Sequence, residues 1–159
     1  RLLDALAARG IERVILALGH GAEQIVRALR DWSPSLEVEV RVEASPLGTG
    51  GAMRFAAQAL RGPSFFGLNA DSVAPFDFPG LDRALRRTGV AAIQLARVRD
   101  AARFGTVAFD AENQLVGFRE KTGVPAPGWV SAGVYAFERR AFLSATPEGA
   151  FSIDTAPPT

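Results

Sequence analysis

The sequence has 159 residues, 48% apolar and 22% charged, which suits one core of ordinary size and excludes a disordered chain. Its 18 basic and 17 acidic residues leave a net charge of +1, which excludes a strong electrostatic nucleic-acid binder. With no Cys and one His there is neither a disulfide framework nor a thiolate or zinc cluster, and no apolar run reaches the roughly 18 residues that span a bilayer. Of the 18 basic residues 17 are Arg and one, Lys121, is Lys. GC-rich codons explain such a bias in general, and leave open why this one position kept Lys.

The chain opens on Arg1 inside a helical pattern, with Leu2, Leu3 and Leu6 on one face and Gly10 as a stop. A short branched apolar run over 12–18 predicts a buried strand, broken by Gly19-His20-Gly21. A helix over 22–30 places Ile25, Val26 and Leu29 on one face, and the alternation over 36–42 predicts a half-exposed or edge strand. A glycine-rich turn over 45–51 leads into a helix over 52–60. A strand over 64–69 ends at Ala70-Asp71, and Pro79 starts a helix that runs to Arg87, with Gly89 as its stop. A long strand follows over 90–98. This alternation of strand and helix predicts an α/β fold with a mostly parallel sheet covered on both faces.

The pattern then changes. Segments 106–109 and 114–118 flank a polar connection of hairpin length, a Pro/Gly loop covers 123–128, a strand 129–137 and a short helix 138–143. The end, Ala156-Pro157-Pro158-Thr159, holds neither helix nor central strand, and both ends read as cuts in a longer protein.

Four places could carry chemistry. Pro46-Leu47-Gly48-Thr49-Gly50-Gly51-Ala52, with three glycines before a helix, permits positive φ and close approach of backbone to a ligand, or is simply a tight strand-to-helix turn. Asp71, just past an apolar strand, is placed to hold a hard cation such as Mg2+, or else caps a turn. Glu120-Lys121 offers a hydroxyl acceptor beside a point charge for phosphate, although such pairs are most often solvated surface. The small residues of Ser131-Ala132-Gly133-Val134-Tyr135 make room beside a backbone or mark close packing. His20 has no partner in the pattern and receives no role.

Taken in order, Leu-Gly-Thr-Gly-Gly-Ala (47–52), Leu-Asn-Ala-Asp-Ser (68–72), Arg-Phe-Gly-Thr-Val (103–107), Phe-Arg-Glu-Lys (118–121) and Ser-Ala-Gly-Val-Tyr (131–135) resemble the sugar-phosphate nucleotidylyltransferases, nearest to the branch that makes GDP-mannose or GDP-heptose. The resemblance runs from Arg1 to about Ile153, giving one incomplete nucleotidyltransferase domain over 1–153 and a tail over 154–159. It implies a Rossmann-like three-layer α/β/α fold with a mixed, mostly parallel central sheet. It also implies a cytoplasmic enzyme, with room for a homo-oligomer, that joins an NTP and a sugar 1-phosphate and releases pyrophosphate.

Residue by residue, the resemblance implies that Gly48 faces the base with its backbone and that Glu43 accepts from it. A carboxylate can accept from both N1–H and N2–H2 of guanine, which favours GTP. Leu47 and Thr49 belong to the same nucleotide site. Asp71 would hold Mg2+, Gly105 would contact the sugar by its backbone, and Glu120 would bind its hydroxyls. Lys121 would meet the 1-phosphate that acts as nucleophile, and Ser131, often Asn in the family, would line the sugar pocket. The family's opening Gly-Gly-x-Gly-Thr-Arg-Leu loop and its second metal-binding acid fall outside this sequence, and Ala70 stands where Gly precedes the metal Asp. The fragment alone is therefore expected to be inactive, and a non-catalytic regulator that binds nucleotide-sugar is the alternative. The missing first strand also predicts either a gap in the sheet or direct pairing of strands 13–18 and 65–69.

Overall fold

In the computed structural model of the chain the described residues are 1–32, 35–71 and 75–154. They form two compact units, one from residues 1–62 with the described part of 143–157, the other from residues 63–142. Ser72 of the 68–72 motif, and the 154–159 tail except Asp154, lie outside the described residues. Among the described residues no helix is long and apolar enough to cross a membrane.

The first unit holds α1 (Leu2–Ala7), β1 (Arg13–Leu18), α2 (Ala22–Arg30), β2 (Glu37–Val42) and α3 (Gly48–Ala57). β1 and β2 run parallel in register from Arg13 opposite Glu37 to Leu18 opposite Val42. Backbone bonds from Glu37 to Glu12 and from Glu43 to Leu18, both 2.8 Å, extend the ladder at each end. The acids of β2 fall on alternate residues, so Glu37 and Glu39 share a face. Arg13 reaches both from β1, with Nη2 2.6 Å from Glu39 and Nε 3.3 Å from Glu37. Arg41 lies two residues further on that face, its guanidinium carbon 4.0 Å from the centre of the Phe55 ring, and it donates to the Phe55 carbonyl. Arg13 is thus paired with two carboxylates and Arg41 with a ring and a carbonyl of α3, the helix that packs on β1. In α2 the expected apolar face is only partly covered: Val26 and Leu29 are half-buried, Ile25 is 43% exposed, and Ala22 is the buried residue.

The second unit contains β3 (Ser64–Leu68), α4 (Phe78–Thr88), β4 (Ala91–Val98), β5 (Thr106–Phe109), β6 (Leu115–Arg119) and β7 (Gly128–Glu138). β7 lies between β3 and β4 and is antiparallel to both, so those two strands are parallel to each other without touching. The expected mostly parallel sheet is corrected accordingly. The strand–helix–strand run β3–α4–β4 does set parallel directions, but a later strand fills the middle, and among the described ladders only β1–β2 is parallel. Of the two outcomes expected for strands 13–18 and 65–69, direct pairing is not the one found: β1 and β3 belong to separate sheets.

A central strand must be apolar on both faces. Residues 132–137 of β7 are accordingly all buried, with Ala136 and Val134 at 0% and 1% exposure. Around them pack aromatic rings: Phe137 lies 4.5 Å from Phe142 and 5.4 Å from Phe65, and Phe66 lies 4.7 Å from Phe78. In α4, Phe78, Leu81 and Leu85 recur at helical spacing and are all buried. The Asp77 carboxylate accepts from Gly80 N at its start, and Gly89, at φ +75°, ends it. β5 and β6 form the expected hairpin, whose turn is closed by the Asp110 carboxylate accepting from Glu112 N and Gln114 N.

The last helix, α5 (Arg139–Ala145), crosses from one unit to the other in sequence. At its start the Glu138 carboxylate accepts from Ala141 N at 2.5 Å, and the Ala141 and Arg140 amides hold that carboxyl below the usual glutamate range. A carboxyl depressed in the folded state stabilises the fold above its unfolded pKa and stops doing so as pH falls through the lower folded value. The urea midpoint of Glu138→Ala should therefore lie below that of the parent at pH 7. The gap should shrink as the pH drops from about 5 toward 3, and a gap independent of pH would show that the carboxylate is not the cap.

Candidate functional site

The expected nucleotide residues all lie in the first unit, where β2 hands over to α3. Glu43 is half-buried, and its Oε2 accepts from Leu47 N at 3.0 Å, closing the loop 43–47 upon itself. Leu47 stands at the head of α3, and its carbonyl accepts from Phe151 N at 2.9 Å. Gly48 adopts φ +69° and is exposed, as is Thr49.

Here the structure corrects the reading of the glycines. The helix begins at Gly48, not Ala52, so the glycines form its first turn instead of a loop before it. The amides of Gly50 and Gly51 do not face open space. Both donate to the Phe151 carbonyl, at 3.0 and 3.3 Å. Each glycine also makes room for this neighbour. A Cβ on Gly48 would sit 2.6 Å from the Phe151 oxygen, one on Gly50 would lie 2.1 Å from the edge of the Phe151 ring, and one on Gly51 would strike the Gly149 carbonyl. The Thr49 hydroxyl accepts from Ile153 N at 3.1 Å and lies 3.5 Å from the Ser152 hydroxyl. Arg54, on the same helix, donates to Leu143 O and to the Thr146 hydroxyl, capping the end of α5. Two of the orphan donors that could cradle phosphate at this helix start, the Gly50 and Gly51 amides, are thus used within the protein.

The remaining candidates lie in the second unit: Asp71 past the end of β3, Ser131 within β7, and Gly105, Glu120 and Lys121 at the open end of the β5–β6 hairpin. Asp71 follows β3 by three residues and is exposed. Asn69 N donates to Gly133 O at 2.8 Å, which sets this end of β3 beside the middle of β7. There β7 bulges: between the pairs Ile93–Tyr135 and Leu95–Ser131 it advances four residues while β4 advances two. Gly133, at φ +69°, permits the bulge. Ser131 Oγ fixes it, accepting from Gly133 N at 3.1 Å and lying 2.9 Å from the Tyr135 hydroxyl. Gln94, opposite the bulge, accepts from Asp77 N at 3.1 Å and donates to Pro75 O, holding the far end of the stretch after Asp71.

Thr106 pairs with Arg119 at the open end of the β5–β6 hairpin. That register sets Gly105 beside the residue after Arg119, and a Cβ on Gly105 would come within 3.2 Å of Arg119 O. Gly105, Glu120 and Lys121 are therefore neighbours, all exposed. Two backbone bonds, Ala101 N to Ala126 O and Gly123 N to Ala102 O, tie the loops on either side together. Within this unit the structure thus brings Gly105, Glu120 and Lys121 together, and separately sets the Asp71 end of β3 beside the Ser131 bulge. Residues around these candidates that the sequence did not single out are Gln94, which holds Asp77 and Pro75, and Phe151, which holds the first turn of α3.

For a metal, the described residues contain no group of three or more His, Cys, Asp or Glu side chains close enough to hold an ion unaided. Asp71 offers a single exposed carboxylate, a hard oxygen donor. That suits Mg2+, which is commonly held by one or two carboxylates with water and substrate phosphate completing its shell.

A parallel pair feeding a glycine-opened helix, and a second unit of strands with helices, define an α/β protein. The particular family follows from comparison. Residues 1–151 match the Nucleotidyl transferase family, and the chain belongs to it. It is 35% identical over 150 residues to a mannose-1-phosphate guanylyltransferase of Mycobacterium tuberculosis, covering 93% of this chain and 42% of that protein. It is 26% identical over 153 residues to the D-glycero-alpha-D-manno-heptose 1-phosphate guanylyltransferase of Campylobacter jejuni, covering 96% of this chain and 67% of that one. Among solved structures, HddC from Yersinia pseudotuberculosis superposes with a TM-score of 0.85 at 26% identity, over 97% of this chain and 68% of its own. The chain spans about two fifths of the length of the mycobacterial relative.

The tight seat of the glycines sets up two opposed effects at Gly51. Ala is favoured over Gly inside a helix by about 1 kcal/mol, whereas a new Cβ here meets backbone at Gly149 and lies 3.0 Å from Leu47 Cβ. Backbone cannot swing aside as a flexible side chain can, so overpacking should win. Gly51→Ala is expected to lose about 1–3 kcal/mol in urea unfolding, and a gain in stability would show that the 149–151 segment is not seated on α3.

Proposed function

We propose that the protein carrying this chain transfers a guanylyl group from GTP to a sugar 1-phosphate, giving a GDP-sugar and pyrophosphate. The observation that carries this reading is the hairpin register that sets Glu120 and Lys121 beside Gly105, a polar acceptor and an ammonium at one exposed edge. The two curated relatives support it, since both are named guanylyltransferases of sugar 1-phosphates.

In this reading a phosphate oxygen of the sugar 1-phosphate attacks the α-phosphorus of GTP in line, the bond to the bridging oxygen breaks, and pyrophosphate leaves. Such a transfer needs little covalent help, and catalysis lies in positioning two anions and offsetting their charge. Lys121 supplies a compact charge to the attacking phosphate. Glu120 and the Ser131 hydroxyl bind the sugar, and the Gly105 backbone approaches it without a side chain in the way. Mg2+ held by Asp71 would neutralise phosphate charge and orient the reacting oxygens. Glu43 accepts from the Watson–Crick edge of guanine. Its Oε2 already receives Leu47 N–H, which fixes the carboxylate, and the remaining lone pairs serve the base.

Pyrophosphate release from GTP and mannose 1-phosphate by the intact protein tests the proposal, with Lys121→Arg as the decisive variant. A planar guanidinium fork does not reproduce a point charge on a flexible stem. Arg86, by contrast, pairs with Asp82 one helical turn away on the exposed face of α4. Lys121→Arg should cut turnover by about 10-fold or more while Arg86→Lys stays near the parent. Equal behaviour of the two would remove Lys121 from the reaction, and no pyrophosphate with any sugar 1-phosphate would overturn the activity itself.

A further inference from the structure

The segment seated on the glycines has no part in the reaction just described, yet it fixes the geometry of the nucleotide turn. We propose that Phe151 is a positioning residue for nucleotide binding, holding Leu47–Thr49 and, through them, the Glu43 carboxylate in the arrangement that meets the base. This rests on the reading of those residues as the nucleotide site.

The Leu47 peptide groups are clamped from two sides. Its N–H donates to Glu43 Oε2 and its carbonyl accepts from Phe151 N. The Phe151 carbonyl in turn takes Gly50 N–H and Gly51 N–H. One residue therefore both donates to the head of the helix and accepts from its first turn, so the turn cannot rotate without breaking three hydrogen bonds. The Phe151 ring fills the space that a side chain on Gly50 would need. Close packing of this kind admits discrete arrangements and resists gradual deformation.

The segment is also anchored at both ends on α3. Ile153, 2% exposed, donates its N–H to the Thr49 hydroxyl, and Arg54 holds Leu143 and Thr146 at the other end. With the Gly50 and Gly51 amides occupied, this turn meets a nucleotide through Glu43 and the exposed faces of Gly48 and Thr49. Phe151 acts on the ligand only through them.

Calorimetric titration of the intact protein with GTP, and separately with mannose 1-phosphate, tests this. Phe151→Ala should weaken GTP binding by about 10-fold, a coupling of ordinary size through packed contacts, while mannose 1-phosphate binding moves less than about 2-fold. Phe151→Tyr, which keeps the ring, should restore GTP affinity to within about 2-fold of the parent. Where Phe151→Ala fails to fold, Phe151→Leu, which keeps an apolar chain over Gly50, should show a smaller loss of the same selectivity. Unchanged GTP affinity in these variants, or equal losses for both ligands, would overturn the proposal. Glu43→Gln separates the two layers of the inference. It can keep an acceptor for Leu47 N–H while presenting a donor to guanine. If Glu43→Gln weakens GTP binding and the Phe151 variants do not, the positioning role alone fails. If Glu43→Gln has no effect, the nucleotide reading fails and the positioning role with it.

Discussion

The Phe151 carbonyl accepts from two successive helix amides, and the first unit is organised around that contact. A helix start normally leaves its first amides to water, a capping side chain or a ligand. Here α3 has no side-chain cap, and a backbone carbonyl about a hundred residues away in sequence takes that place. The approach is close enough that glycine is required where the two backbones meet. It also explains why Thr49 and Arg54 spend their polar groups on the same segment. The site is thus built by long-range packing, and the glycine-rich motif records that packing as much as any ligand.

In the second unit the corresponding constraint is the placement of β7. As the buried middle strand it must be apolar and small where it is crowded, and its bulge gathers Gly133, Ser131 and Tyr135 next to the carboxyl end of β3. The polar groups there are satisfied among themselves, with Ser131 serving both the Gly133 amide and the Tyr135 hydroxyl. Asp71, Glu120 and Lys121, by contrast, are exposed. On the proposed function, a self-satisfied backbone supporting exposed charge would suit a phosphoryl transfer, whose catalysis is chiefly positioning.

Much of this was legible in the sequence, because it depends on local periodicity. β1, α2, β2, β4 and the β5–β6 hairpin lie within a residue or two of their predicted spans. The order of motifs also gave the family. What periodicity does not encode is which strand lies beside which, so the insertion of β7 between β3 and β4 could not be read. The start of α3 was missed because glycine is a poor helix former, and the partner that stabilises it is remote in sequence. The Ser131–Tyr135 bond was hidden for a geometric reason. Four residues of regular strand span about 13 Å, and the bulge at Gly133, visible beforehand only as a run of small residues, brings the two hydroxyls within 2.9 Å.

Amide hydrogen exchange at Gly50 and Gly51, read with and without GTP, bears most directly on the claim that this turn is closed by the protein itself. Both amides should already be protected in the ligand-free protein, with little further protection when GTP is added. Fast exchange without ligand that slows only when GTP binds would contradict it, and would return these amides to the phosphates.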